Sequence, residues 1–253
     1  MLSNASKTKF DIERAWRAID VRGAATRAGT VLRSALPQAC ALCHARSGNA
    51  MLCAACNAQM PKIAEACPQC ALSSSGNLVC GKCLAHAPPF AATTAAWRYA
   101  FPADRLLQSF KYGGRLALAE PLALALVETV RVRNVDRPDR LIAMPLSARR
   151  QRERGFNHAH EIARRVSSCL GIPLMRDFRR TRDAPPQAGL TLRERARNVR
   201  DAFEAGAPMS GLSIAIVDDV MTTGATLAAA ARAARAAGAA RVDAWVVART
   251  PPP

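Results

Sequence analysis

Eight cysteines between positions 40 and 83 set the terms for the first third of this chain. They fall in four C-x-x-C pairs, Cys40/Cys43, Cys53/Cys56, Cys67/Cys70 and Cys80/Cys83, separated by nine, ten and nine residues. A C-x-x-C turn places two thiolates on one side of a tight knuckle. Two knuckles then complete a tetrahedron around Zn²⁺, with Zn–S bonds of about 2.3 Å. The regular spacing suggests two consecutive sites, Cys40, Cys43, Cys53 and Cys56, then Cys67, Cys70, Cys80 and Cys83; an interleaved pairing satisfies the same count. The halves also read as a repeat, CALC…CAAC and CPQC…CGKC. Four thiolates leave no open coordination position, so such sites are structural. A segment of about 50 residues with so few bulky apolar side chains depends on metal to fold. A disulfide framework needs an oxidising compartment, and a redox C-x-x-C usually occurs once beside a βαβ unit. His44 and His86 adjoin the knuckles and read as surface residues. The ninth cysteine, Cys169, stands in IARRVSSCL and reads as a small buried residue.

The remaining chain is long enough for a domain of ordinary size. With 253 residues, half of them hydrophobic, one large domain plus a small module is expected, and global disorder is excluded. The best apolar stretch, from Leu116 to Val130, is broken by Glu120, Pro121 and Glu128 and is too short to span a membrane. The first residues, MLSNASKTKFDIERAW, hold no apolar core of a secretory signal, so a cytoplasmic protein is expected.

The charge is lopsided: 36 Lys and Arg against 19 acidic residues, a net +17. Residues 140–200 carry 15 Arg and five acidic residues, so most of the excess is concentrated there. A field of that sign favours phosphates, nucleic acid or acidic lipid. Solubility in an Arg-rich chain gives the same composition. Aromatic residues make up only 5%, which argues against a base-stacking groove as the main device.

Periodicity divides the chain into three. Residues 1–36 read as an N-terminal segment of one or two amphipathic helices. Residues 37–88 are the cysteine module. Residues 89–250 alternate strands and helices: strands at 91–100, 141–144, 213–217 and 241–247, helices at 104–111, 116–131, 157–170, 192–203 and 226–237, and a loop at 176–190. Such alternation implies an α/β fold with a mainly parallel sheet flanked by helices. Ligands of such sheets bind at the carboxyl ends of the strands.

One strand end carries the chemistry. Ser213–Val217 delivers Asp218, Asp219, Val220, Met221, Thr222, Thr223, Gly224, Ala225 and Thr226, and then a helix begins. Gly224 and Ala225 let backbone N–H groups approach an anion, the three Thr add hydroxyls, and the helix N-terminus supplies partial positive charge. Two adjacent carboxylates at a strand end suit sugar hydroxyls or water on Mg²⁺. A plain helix cap needs one Asp or Thr rather than this set. A Walker B strand would need G-x-x-x-x-G-K-[ST], which is absent, as are G-x-G-x-x-G, H-E-x-x-H and G-x-S-x-G.

VDDVMTTGATL, residues 217–227, resembles the phosphoribosyl pyrophosphate (PRPP) motif of type I phosphoribosyltransferases. More narrowly, the chain resembles the ComF (competence protein F, ComFC) family, which joins an N-terminal zinc ribbon to a phosphoribosyltransferase domain. Further hallmarks appear in order: Phe110-Lys111-Tyr112 with Gly114, Pro145-Leu146 before Arg149, Arg154-Gly155-Phe156-Asn157, Gln187 with Leu190, and Arg195, Asn198-Val199 and Ala202-Phe203. The resemblance covers residues 37–248. His158 stands where the family usually has Gln, and Ala184 where a Thr commonly precedes Pro-Pro-Gln.

The resemblance implies roles. Asp218 and Asp219 would be the catalytic pair, holding the ribose hydroxyls, and Thr222–Thr226 would hold the 5′-phosphate. Ser147, Arg149, Arg150 and Lys111 would bind pyrophosphate with Mg²⁺; a snorkelling helix-end Lys is an equal reading of Lys111. Arg152, Arg154, Asn157 and Gln187 would meet the acceptor or nucleic acid. His158, His160 and Glu161 read as helix-surface residues. The resemblance implies a PRPP-binding protein acting in DNA uptake and natural transformation, in which a transferase reaction would displace pyrophosphate from ribose C1. The alternatives are a non-catalytic PRPP sensor that binds single-stranded DNA, or an adaptor docking a partner such as a DNA-uptake helicase.

Overall fold

The computed structural model describes residues 38–147, 151–152, 155–181 and 202–252. The amphipathic helices expected in residues 1–36 lie outside them. Two compact units divide after Cys53. In the first, Cys40 N–H donates to Ala45 O at 2.8 Å and His44 N–H to Cys40 O at 3.0 Å, the tight turn that a C-x-x-C knuckle requires.

The second unit begins with the short helix α1 (Ala54–Ala58), carries α2 (Gly81–Ala85), and then enters the alternating region. There follow β1 (Thr93–Arg98), α3 (Ala103–Tyr112), α4 (Ala119–Val132), β2 (Arg140–Ala143), α5 (His158–Leu170), β3 (Leu174–Met175), β4 (Phe178–Arg180), β5 (Phe203–Ala205), β6 (Ser213–Met221), α6 (Ala225–Ala236) and β7 (Arg241–Arg249). The main sheet has the order β1-β7-β6-β2-β3, and every pairing in it is parallel. Its central strands read as continuous apolar runs because helices cover the sheet. Val242, Ala244 and Val246 are alternate residues of β7, hence on one face. They share a core with Leu227, Ala230 and Ala234 of α6. Helices α4 and α5 pack on each other and on the sheet. Among the described residues, no helix is long and apolar enough to cross a membrane.

The α/β class and the sequence-derived positions of most elements agree with this fold. Five readings are corrected. Strand β6 does not stop at Val217 but runs through the acidic pair to Met221, because β7 pairs with it as far as Met221↔Arg249. Backbone hydrogen bonds carry the ladder past the point where the apolar pattern ends. Within the loop expected at 176–190, Phe178–Arg180 forms β4, antiparallel to β5. The Phe178 and Phe203 rings stack at 6.0 Å and 9°, so Phe203 closes a ribbon instead of ending a helix. Residues 182–201 lie outside the described set. Cys169 is exposed, because the buried stripe of α5 runs through Ala159, Ile162, Ala163 and Val166 and leaves Cys169 outside it. His158, read as a surface residue, is 1% exposed.

Candidate functional site

The turn from β6 into α6 is built by three residues, Thr222–Gly224. Gly224 is the N-cap of α6 and has φ 80°. A Cβ at this position would lie 2.6 Å from Met221 Cε, the end of a flexible side chain, so it is the left-handed backbone conformation that calls for glycine. Thr223 Oγ1 accepts from Ala225 N–H at 3.3 Å, tying the turn to the helix start. Thr222, Thr223 and Thr226 are exposed while Leu227 is buried, so the hydroxyls stay on the solvent side of an anchored helix. The amides of the first helical turn lack intrahelical partners, and the helix dipole adds positive potential there. The arrangement is suited to an anion.

The acidic pair lies just before this turn. Asp218 and Asp219 sit inside a regular strand, where successive side chains alternate faces. Asp218 Oδ1 accepts from Asp219 N–H at 2.8 Å. Asp219 is 8% exposed, and its Oδ1 lies 2.9 Å from Lys111 Nζ. Helix α3 is fixed by the buried Leu106, Leu107 and Phe110. That anchoring delivers Lys111 to the carboxyl end of β6.

The position of α3 is tied in turn to α5. His158 Nε2 lies 3.2 Å from Phe110 O. A carbonyl only accepts, so Nε2 carries the proton. The imidazole packs edge-on to Phe110, with centroids 4.8 Å apart, and lies 4.4 Å from the Phe156 ring. Asn157 caps α5 by accepting from His160 N–H at 3.2 Å, and its Nδ2 donates to Met144 O, just beyond β2, at 3.0 Å. Its side chain therefore holds the β2 exit against α5. Ser147 is buried, and its carbonyl accepts from Gln151 N–H at 2.8 Å. Arg152 is exposed. Arg149, Arg150, Arg154 and Gln187 lie outside the described residues.

The cysteines form two sets in consecutive order, Cys40, Cys43, Cys53 and Cys56, then Cys67, Cys70, Cys80 and Cys83, the Sγ atoms of each within 4.8 Å of one another. Cys43 Sγ to Cys53 Sγ and Cys70 Sγ to Cys80 Sγ are each 3.7 Å. A tetrahedron with Zn–S bonds of about 2.3 Å has S···S edges of about 3.8 Å, whereas a disulfide needs about 2.05 Å. The two Cys₄ sets therefore fit structural zinc. Burial raises the Cys67 thiol, but N–H groups of Cys80, Cys70 and Gln69 prevail and lower it to about 7. Cys80 N–H lies 3.4 Å from Cys67 Sγ. Cys83 is pushed up, first by burial and then by its neighbouring thiols. Four thiolates this close need a dication. His44 and His86 are exposed and belong to neither set.

One residue of this region was not singled out from sequence. Arg249, the last residue of β7, is 5% exposed. Its Nε donates to Cys70 O at 2.8 Å, and its Nη1 donates to Met221 O at 3.0 Å, to Thr222 O and to Thr250 O at 2.7 Å. Burial pushes its pKa down, and the thiols of Cys70, Cys83 and Cys80 oppose that shift. The available signal was a charged residue closing an otherwise apolar strand, RVDAWVVAR. Beside it lies a cavity of about 170 Å³ lined by residues that include Lys82, His86, Phe90, Thr223 and Gly224.

Comparisons with known proteins converge on the same parts. A double zinc ribbon domain matches residues 31–84, and a phosphoribosyl transferase domain matches residues 153–252. DNA utilization protein YhgH of Salmonella typhimurium is 35% identical over 157 residues, covering 60% of this chain and 69% of its own. Competence protein F of Haemophilus influenzae is 30% identical over 159 residues with the same coverage. Among solved structures, a purine phosphoribosyltransferase from Pyrococcus horikoshii aligns with 51% of this chain and 71% of its own at TM-score 0.34 and 20% identity.

Proposed function

The chain belongs to the competence protein F (ComF) family, and from that premise we propose that it binds PRPP at the β6–α6 turn and serves DNA utilisation in the cytoplasm. The observation that carries this reading is the turn itself. A strand carrying two carboxylates near its carboxyl end, a glycine at φ 80° and a helix start flanked by exposed hydroxyls suit a sugar followed by a phosphate. The names of the relatives, DNA utilization protein and competence protein F, supply the process.

In this reading Thr222–Thr226 holds the 5′-phosphate, and Asp218 and Asp219 hold the ribose hydroxyls. Mg²⁺ would arrive bound to PRPP and would neutralise pyrophosphate charge. Asp218 and Asp219, near the carboxyl end of β6, are carboxylates that would accept from ribose hydroxyls or from water on Mg²⁺. Lys111 is drawn off Asp219 when the ribose hydroxyls engage that carboxylate, and its ammonium then faces the pyrophosphate. In this reading Ser147, Arg149 and Arg150 bind the pyrophosphate, and Arg152, Arg154, Asn157 and Gln187 serve the acceptor or nucleic acid. The C1–O bond to pyrophosphate breaks with its electron pair leaving on oxygen, a bond from the acceptor forms, and the acceptor releases its proton. Positioning and charge neutralisation contribute most of the rate.

The deciding experiment is pyrophosphate release from Mg²⁺·PRPP. Pooled nucleobases, small amines and single-stranded oligonucleotide are supplied, with Asp218→Asn/Asp219→Asn as control. Release that requires one pool and vanishes in the control supports the transferase. PRPP binding by calorimetry without release leaves a PRPP sensor that acts on single-stranded DNA or a helicase. Absence of binding overturns the PRPP reading.

A further inference from the structure

We infer, resting on the reading that Thr222–Thr226 holds the 5′-phosphate, that Arg249 couples the second Cys₄ knuckle to this turn, so that metal in the knuckle and PRPP in the turn stabilise one another. The knuckle between Cys67 and Cys70 presents three successive carbonyls to the sheet. Pro68 O accepts from Thr93 N–H at 2.8 Å, Gln69 O from Thr93 Oγ1 at 2.6 Å, and Cys70 O from Arg249 Nε at 2.8 Å. The same guanidinium donates to the carbonyls of Met221 and Thr222, the two residues that lead into the glycine turn.

A guanidinium is planar, so the direction of Nε fixes the direction of Nη1. A shift of Cys70 is passed to Met221 and Thr222 because the side chain between them is buried and packed. The packing is continuous as well. Ala66 and Ala71, which flank the knuckle, share one core with Phe90, Met221 and Leu227.

Electrostatics points the same way. Among the described residues no carboxylate forms an ion pair with Arg249, and its Nε lies on the main chain of Cys70, one of the four ligands of the second set. Four thiolates around Zn²⁺ carry a net charge of −2. The loaded site is thus the counter-ion of the residue that shapes the turn. A buried cation that lost this partner would be driven to rearrange.

Coupling between two sites is reciprocal: whatever metal does for PRPP affinity, PRPP does for metal retention. The test uses the full chain loaded with two zinc ions. Zinc transfer to a chromophoric chelator is followed with and without Mg²⁺·PRPP, and PRPP binding is measured separately by calorimetry. The expected result is that PRPP slows loss of one zinc equivalent about fivefold or more and leaves the other unchanged. Arg249→Gln, at PRPP saturation, should lose that protection.

PRPP binding to the wild type without protection of either zinc overturns the coupling and leaves the PRPP reading intact. Equal protection in Arg249→Gln overturns the role of Arg249. Absence of PRPP binding overturns both. If Arg249→Gln does not retain two zinc ions, Arg249→Lys replaces it, since lysine keeps the cation but not the planar fork; full protection in that variant overturns the inference.

Discussion

Lys111 Nζ and Asp219 Oδ1 lie 2.9 Å apart, and the pair joins the end of α3 to the part of β6 that leads into the glycine turn. The side chains are 19% and 11% exposed, so the contact is neither a surface pair nor a fully buried one. Lys111→Met would leave Asp219 with its charge largely enclosed. The expected loss is about 1–3 kcal/mol, between the values for exposed and buried pairs. Urea unfolding of wild type, Lys111→Met, Asp219→Asn and the double variant gives the coupling energy directly. A coupling near zero would mean that the contact contributes nothing to the fold.

Gly224→Ala tests the turn. The added Cβ would approach Met221 Cε, the mobile end of a flexible side chain, so the clash itself is relieved by a rotamer change. The φ of 80° is not relieved. The expected cost is about 1–2 kcal/mol from the left-handed conformation, with weakened PRPP binding. Adding Met221→Ala should not restore stability. Full restoration in the double variant would show that space, rather than backbone conformation, selects glycine here.

Much of this was readable in advance because it rests on local rules. The presence of two Cys₄ sets follows from four C-x-x-C pairs, whose spacing suggests but does not decide the consecutive order the structure has, and the glycine turn follows from a short apolar run, two Asp and a Thr-rich helix start. Most of the misreadings concern residues whose environment is set by distant chain. His158 looks like a helix-surface histidine until Phe110, 48 residues away, covers it. Phe203 ends an apparent helix in sequence but finds Phe178 across a ribbon. Arg249 closes an apolar strand, and its partners, Cys70 and Met221, lie 179 and 28 residues away. No periodicity encodes such pairings.

Acid should weaken α5 in a defined direction. Burial raises the Glu161 carboxyl, but hydrogen bonds from Arg165 at 2.8 Å and Arg164 at 3.3 Å prevail and hold it below the usual carboxylate range. A group depressed in the folded state contributes stability above its unfolded pKa, about 4.3 for Glu, and loses it as pH falls through the folded value. At neutral pH, Glu161→Gln should cost roughly 0.5–1 kcal/mol, two helical pairs at about 0.3–0.5 each. That difference should shrink towards zero below about pH 4. A difference that stays constant down to pH 3 would assign it to packing rather than to charge.

His158 offers the sharpest test of how the site is held in place. Its Nε2–H satisfies the Phe110 carbonyl next to Lys111, and its ring fills the space between Phe110 and Phe156. His158→Ala removes both the donor and the volume, so about 2–4 kcal/mol of stability should be lost. His158→Gln keeps an N–H donor on a side chain of similar reach and should cost about 1 kcal/mol. If His158 acts by setting α3, the two variants should differ in PRPP affinity as well as in stability, since Lys111 follows Phe110 directly. Calorimetric titration with Mg²⁺·PRPP, at a temperature where both variants are folded, separates the cases. Weaker binding in His158→Ala with near-normal binding in His158→Gln assigns the histidine a positioning role. Equal binding in both variants, despite unequal stability, would confine His158 to packing and place the control of Lys111 in α3 alone.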